Sequence, residues 1–284
     1  MPGSDLSRET YGFACWTGPA QAMRTAHAHD EVELNLSLSG PLDYLIGGRL
    51  RSLPAGRLGL FWASTPHQLV DAPPGARLIW MTIPLTRFLS WKPPQQLLGL
   101  LFANEIAAAS ATDVELDRAT MLRWVDEIDR SADHAAVVAL EAQAAVQRLA
   151  LSLRRNDRAD PAGPDRDHGG PPRFAGTPVA IMAGFISRRF AEPIGVAEVA
   201  AAAHLSPQHA MELFHRSVGL TIGGYLHQCR IAEAQRLLLT TDATVTAVAT
   251  SAGFGSLSRF HAAFKAATGT TPARYRRAES VRAP

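Results

Sequence analysis

Between residues 9 and 85 the apolar positions fall in short runs with β-character, at 33–38, 42–46, 58–62 and 77–82. Turn-forming clusters separate them: Ser39-Gly40-Pro41, Gly47-Gly48, Pro54-Ala55-Gly56 and Pro73-Pro74-Gly75. Many short strands at close spacing predict an all-β sandwich or barrel. From 117 to 154 the text becomes alanine-rich with helical periodicity, carried by Leu122, Val125 and Ile128, then Val137, Leu140, Ala144 and Leu151. This predicts a pair of helices. Residues 155–176 combine proline, glycine and alternating charge with almost nothing apolar, the composition of a linker that cannot bury enough surface to offset its ordering entropy. Everything after it reads as helix. The expected class is therefore α+β: an N-terminal unit over 1–154 with a β-barrel and a helical pair, a linker over 155–176, and an all-α unit over 177–284.

The all-α unit contains an imperfect internal repeat. Val199-Ala200, Ala203 and Leu205 recur 49 positions later as Val248-Ala249, Ala252 and Phe254. Past the turn the offset grows by one, and Ala210, Phe214, Gly219 and Thr221 match Phe260, Phe264, Gly269 and Thr271. Each copy predicts a short helix with a small-residue face, a tight turn, and a second helix that crosses it closely and stops at glycine, the logic of a helix-turn-helix unit. Between the copies, residues 222–239 carry Ile231, Ala234 and Leu238 at helical spacing. A helix of that length spans roughly 27 Å at ~1.5 Å per residue. It can hold two recognition helices about one duplex turn apart, ~34 Å.

Charge strengthens this picture. From Thr177 onward 11 basic residues face 6 acidic ones, while the preceding part has 17 against 20, so a chain of net charge +2 conceals a basic C-terminal half. Clustered positive charge supplies the sequence-independent part of nucleic-acid affinity. Two widely separated cysteines, Cys15 and Cys229, exclude a disulfide framework and a cysteine-rich zinc site and point to a reducing, cytoplasmic setting. The reading along the chain finds no uncharged apolar window long enough for a membrane span and no basic-then-apolar export signal, so no membrane partner is expected. Nucleophile triads, phosphate loops and nucleotide fingerprints are absent from the sequence, which argues against an enzyme.

The segments IGVAEVAAAAHLSPQHAMELFHRSVGLTIGGYL, RIAEAQRLLL and SAGFGSLSRFHAAFKAATGTTPARYRR resemble the DNA-binding domain of the arabinose-regulator (AraC/XylS) family of transcription factors. The resemblance spans 181–277, and its GF-x-S-x-S-x-F and G-x-TP-x-x-YR text is highly specific. It implies a double helix-turn-helix with recognition helices near 206–217 and 256–267, a promoter DNA partner, contact with RNA polymerase, and a homodimer built on the helical pair. Base contacts must come from the face opposite the expected buried set. That leaves Gln208, His209 and Glu212 in the first copy and Leu257, Ser258, Arg259 and Ala262 in the second. Arg259 suits a guanine edge and Gln208 an adenine edge, whereas Ala262 is too short to hydrogen-bond. His215, Arg216, Lys265, Arg276 and Arg277 are the candidates for backbone contacts.

In the N-terminal unit His27, His29, Glu33 and Gly40 read H-x-H-x3-E-x6-G, with Gly56 and His67 at the ends of a second stretch. These resemble the paired motifs of the cupin superfamily, a small jelly-roll barrel. The centre of the second motif departs from the pattern, with Trp62-Ala63-Ser64 in place of Pro-x-Gly and Asp71 in place of the closing Asn. Alternation on neighbouring strands would point His27, His29, Glu33 and His67 inward as three nitrogens and one oxygen, a donor set for a divalent transition metal. The same residues can instead line a pocket for a polar organic ligand without metal, or be structural. Fusion to a DNA-binding unit favours the organic ligand, and no other cofactor is expected. The stretches HAHDEVELN, YLIGG, LFWASTPHQLVD and FLSW further resemble a sugar-responsive branch of the family, which implies a saccharide effector, an α-galactoside among the candidates. Trp62 and Trp80 would stack on it, while His27, His29, Glu33, Asn35 and His67 would hydrogen-bond it. Two alternatives remain open at this point: a metal-dependent cupin oxygenase or isomerase with an attached helical domain, and a barrel that only oligomerises.

Overall fold

A computed structural model describes residues 11–110, 114–159 and 177–280. The N-terminal unit contains eight short strands among the described residues: β1 Ala14–Pro19, β2 Glu31–Ser37, β3 Leu42–Ile46, β4 Arg49–Leu53, β5 Leu58–Trp62, β6 His67–Asp71, β7 Arg77–Pro84 and β8 Ala107–Ala108. They form two antiparallel sheets, one ordered β1-β7-β2-β5-β8 and one ordered β4-β3-β6. The sheets face each other as a jelly-roll-like sandwich; among the described residues the barrel expected from the sequence is not closed. Between them lie Leu42, Tyr44, Ile46, Leu53, Phe61 and Leu69. The large sheet is covered on its other side by α1 Leu85–Ser90, α2 Gln95–Phe102, α3 Val114–Glu127 and α4 Ala132–Ala159. Every residue of β2 is therefore buried, with Val32, Leu34 and Leu36 toward the helices.

Two expectations about the helical pair need correction. Its buried face consists of Met121, Trp124 and Ile128 with Val138, Ala142, Val146 and Leu149, whereas Leu122, Val137, Leu140 and Leu151 of the stripe read from sequence are exposed. The alanine-rich text allowed two overlapping periodic faces, and the sheet selected the one carrying Trp124, whose Nε1 donates to Glu141 at 2.7 Å. Helix α4 also continues to Ala159, into the stretch assigned to the linker, and residues 160–176 lie outside the described residues. The stretch Ala132–Leu153 is long and apolar enough to cross a membrane by length and composition, although it carries the charged residues Asp133, Glu141 and Arg148. In this structure its Val138–Leu149 face packs on the sandwich.

The C-terminal unit comprises α5 Pro178–Arg189, α6 Val196–Ala202, α7 Pro207–Val218, α8 Ile222–Thr240, α9 Val245–Ser251, α10 Leu257–Thr268 and α11 Pro272–Ser280. Local chemistry sets the two long members of the repeat. Ser206 and Ser256 cap α7 and α10, accepting from the backbone N–H of His209 and Arg259, and Gly219 and Gly269 end them at φ +74° and +72°. The repeated small residues Val199, Ala200 and Ala203 pack with Ala210 and Phe214 in one core. Val248, Ala249 and Ala252 pack with Phe260 and Phe264 in another. Helix α8 joins both, as its spacing predicted. Each bundle turn has one left-handed residue, His204 at φ +56° and Gly253 at φ +83°. The extra residue of the second turn is accommodated after it.

Candidate functional site: a histidine cluster beside the DNA-binding helices

Residues 27 to 35 are polar at every odd position, and strand alternation turns that period of two into one face. His27 pairs with His67 through reciprocal backbone hydrogen bonds of 3.0 and 2.9 Å, and the His29 N–H donates to the carbonyl of Ala63 at 3.0 Å. The segment thus bridges the two sheets and brings together four of the residues expected from the sequence. Possible ligand atoms of His27, His29, Glu33 and His67 all lie within 4.8 Å of one another. Nε2 of His29 and Nε2 of His67 both face Oε1 of Glu33, at 2.8 and 3.2 Å. Asn35 donates to the other oxygen at 2.8 Å and also reaches Tyr44 Oη at 3.3 Å.

Burial by itself would raise the pKa of Glu33, but the hydrogen bonds from His29 and His67 outweigh it and hold the carboxyl well below its usual range. For His29 burial acts in the lowering direction, and hydrogen bonds to Glu31 and Glu33 overcome it, pushing the pKa up to about 9. His27 is held well below the ordinary value by burial and by the neighbouring His67. The resulting pattern is a carboxylate facing one imidazolium, with His27 neutral. Nδ1 of His27 is buried and has no hydrogen-bond partner among the described residues.

The aromatic residues divide. Cross-strand register places Trp80 opposite Asn35 and Trp16, on the same face of the sheet as the polar row. Trp16 stacks on Trp80 with centroids 6.1 Å apart, and Tyr11 lies 4.9 Å from the His29 ring. Trp62, by contrast, pairs with Val32 and faces the helices, in contact with Phe102, so it does not share a pocket with the histidines. This corrects its assignment to that pocket: an even-numbered offset along β5 would have been needed, and Phe61 occupies the inward position. Trp62 instead lines a cavity of about 210 Å³ between the sandwich and α5 and α8, together with Arg49, Asn104, Glu233 and Arg236. Sequence reasoning missed Glu31, whose Oε2 holds His29 Nδ1 at 2.8 Å, as well as Tyr11, Trp16 and Tyr44. The odd-position rule would have found Glu31; the others depend on strand pairing.

On the other unit, Gln208, His209 and Glu212 are exposed on α7, and Leu257, Ser258, Arg259 and Ala262 are exposed on α10. His215, Arg216, Lys265 and Arg277 are exposed as well. Arg276 is not available in the same way. Its guanidinium donates to the carbonyls of Leu238 and Ala243 at 3.3 and 2.6 Å, tying α11 to the end of α8.

The two units share contacts next to the histidine cluster. The N–H of Ala26 donates to the carbonyl of Val218 at 2.6 Å, and Gln68 Nε2 donates to those of Met23 and Ser217 at 2.6 and 3.0 Å. Asp30 Oδ1 accepts from Gln235 of α8 and Tyr275 of α11 at 3.0 and 2.9 Å.

Residues 199–278 match a family model described as a helix-turn-helix domain. Over 266 residues the chain is 30% identical to the melibiose operon regulatory protein of Escherichia coli (strain K12), covering 92% of this chain and 86% of that protein. It is also 30% identical over 131 residues to the HTH-type transcriptional activator RhaR of Klebsiella pneumoniae subsp. pneumoniae, covering 45% of this chain and 43% of that one. Among solved structures, the DNA-binding domain of the global transcriptional factor AdpA in complex with a target DNA is 32% identical, with a TM-score of 0.36 over 38% of this chain and 96% of that one. With a duplicated helix-turn-helix, and the likeness to the E. coli melibiose operon regulatory protein running through both units, the chain belongs to the AraC/XylS family of DNA-binding transcription regulators.

Proposed function

We propose that this regulator reads two successive major grooves with α7 and α10 and answers to a saccharide received by the sandwich. The observation that carries the DNA half is the exposure of both recognition faces: Gln208, His209 and Glu212 on one, Leu257, Ser258, Arg259 and Ala262 on the other. Arg259 is the principal base reader, because a guanidinium matches the guanine edge with two hydrogen bonds. His215, Arg216, Lys265 and Arg277 neutralise phosphates and set register. The saccharide half is supported by the name of the E. coli relative and by the stacked Trp16 and Trp80 next to Asn35 and His29, an aromatic face bordered by hydrogen-bonding groups. Effector binding then changes promoter occupancy or contact with RNA polymerase.

A homodimer fits the same reading. Val137, Leu140 and Leu151 leave an apolar face of α4 open to solvent, where a second copy of the chain buries it. The test of the whole reading is selection of a duplex from a random pool, followed by thermal-shift screening of mono- and disaccharides with and without that duplex. Enrichment of one sequence, and a sugar that raises the melting temperature, are expected. Binding without sequence preference would overturn the DNA half, and the absence of any stabilising sugar would overturn the effector half.

A further inference from the structure

Helix α7 sorts its side chains by period. Ala210, Phe214 and Val218 are buried against the first core, and the solvent-facing arc of the same helix runs through Met211, His215, Gln208 and Glu212. Three of those four are polar. Met211 is the exception, an apolar side chain 46% exposed beside the groups expected to read bases. It belongs neither to the buried core of the first helix-turn-helix nor to the apolar residues packed on that core, so packing does not account for it. Among the described residues of the C-terminal unit three large apolar side chains are exposed: Ile181 on α5, Met211 on α7 and Leu257 on α10. Two of the three thus stand on the recognition helices. The repeat matches Met211 to His261, which is exposed as well, so a methionine at this place is particular to the first copy.

The major groove offers an apolar side chain one partner, the C5-methyl of thymine; the other readable features of the base edges are hydrogen-bond donors and acceptors. Resting on the groove reading proposed above, we propose that Met211 selects a thymine in the half-site under α7 by packing its thioether end on that methyl. The unbranched, polarisable side chain adapts to the methyl without a fixed rotamer. Contact removes water from two apolar groups at once. Cytosine has only hydrogen at C5, and a purine presents an N7 acceptor that a thioether cannot satisfy, so both are disfavoured at that position. The neighbouring side chains leave the methionine free for this role, since Gln208 Nε2 donates to Glu212 Oε1 at 3.2 Å and both stay on their own part of the face.

The test uses the full chain and the duplex it selects from a random pool. Each thymine is replaced singly by deoxyuridine, which deletes the C5-methyl and keeps every hydrogen-bonding group. One such replacement is expected to weaken wild-type binding about three- to fivefold, the effect of burying roughly one methyl group. Met211→Ala loses about the same factor on the unmodified duplex and is indifferent to the uridine, so the two deletions do not add. Met211→Leu, which keeps an apolar tip, retains the sensitivity, and so does His261→Ala. Unchanged circular dichroism and melting temperature certify that the variants fold, as the exposure of both positions leads one to expect. A selected duplex with no uridine-sensitive thymine, or a sensitivity that Met211→Ala keeps in full, overturns the contact while leaving the groove reading intact. Failure of the wild type to select any duplex overturns the groove reading and the contact with it.

Discussion

The two helix-turn-helix copies are built alike yet held differently. In the first, the C-terminal end of the recognition helix α7 is fastened to the sandwich at Val218 and Ser217, Thr25 sits directly against Gly219, and its core includes Ala26 and Leu45 of the N-terminal unit. In the second, the described core of α9 and α10 is drawn from the C-terminal unit, and Asp30 of the sandwich reaches it through hydrogen bonds from Gln235 and Tyr275. Their readers differ as well. The first presents Gln208 tied to Glu212 at 3.2 Å, and the second presents Arg259. On the proposed reading a division of labour is expected: the second copy should contribute most of the sequence-specific affinity, and the first should be the one whose placement the sandwich controls.

The largest expected effect tests whether the two cores are independent. Phe214→Ala and Phe264→Ala should each cost about 3–5 kcal/mol. Thermal unfolding should show Phe214→Ala lowering the transition of the sandwich too, because its core is shared, while Phe264→Ala spares it; identical behaviour would erase the contrast. Next, Arg259→Ala should weaken the selected duplex by about 1–3 kcal/mol, roughly 5- to 150-fold, with a smaller loss on random duplex. Gln208→Ala should cost less in the same competition assay, since its amide is partly engaged by Glu212. Equal losses on both duplexes would reduce Arg259 to a phosphate contact.

A smaller effect concerns the fastening. Gln68→Ala removes the bonds to Met23 and Ser217, and should change duplex affinity by about fivefold while abolishing most of its dependence on sandwich occupancy. A variant that keeps the full dependence would place control elsewhere. The smallest is at the turns. His204 holds a left-handed backbone where the second copy has Gly253, whose added Cβ would meet Ala191 Cα and Phe190 O at 2.8 Å. His204→Gly should stabilise by less than about 1 kcal/mol, because relieved strain is offset by the freer unfolded chain. Denaturant unfolding measures it, and a clear loss would show that the His204 side chain stabilises the first turn.

Much of this was readable in the residues. Strands β3 and β5, the caps at Ser206 and Ser256, the buried Phe214 and Phe264, and the convergence of His27, His29, Glu33 and His67 all follow local rules of period, capping and spacing. Strands β1, β4 and β6 were not read, since Ala14–Pro19 and Arg49–Leu53 have little alternation of their own and exist as pairs with β7 and β3. The outward stripe of α4 reads as the packed one from sequence because alanine is equally acceptable on either face. Trp62 was placed with the histidines because residue type suggests a role but not a side of the sheet.

The sequence by itself determined the repeat, its punctuation and the inventory of donors, since these depend on interactions among residues a few positions apart. Only the tertiary structure decided which face of α4 is buried, that Trp62 turns away while Trp16 and Trp80 turn in, that Arg276 braces a helix end, and that Ala26, Asp30 and Gln68 fasten one unit to the other. Those outcomes rest on contacts between segments up to 245 positions apart, as between Tyr275 and Asp30, whose pairing no local pattern encodes.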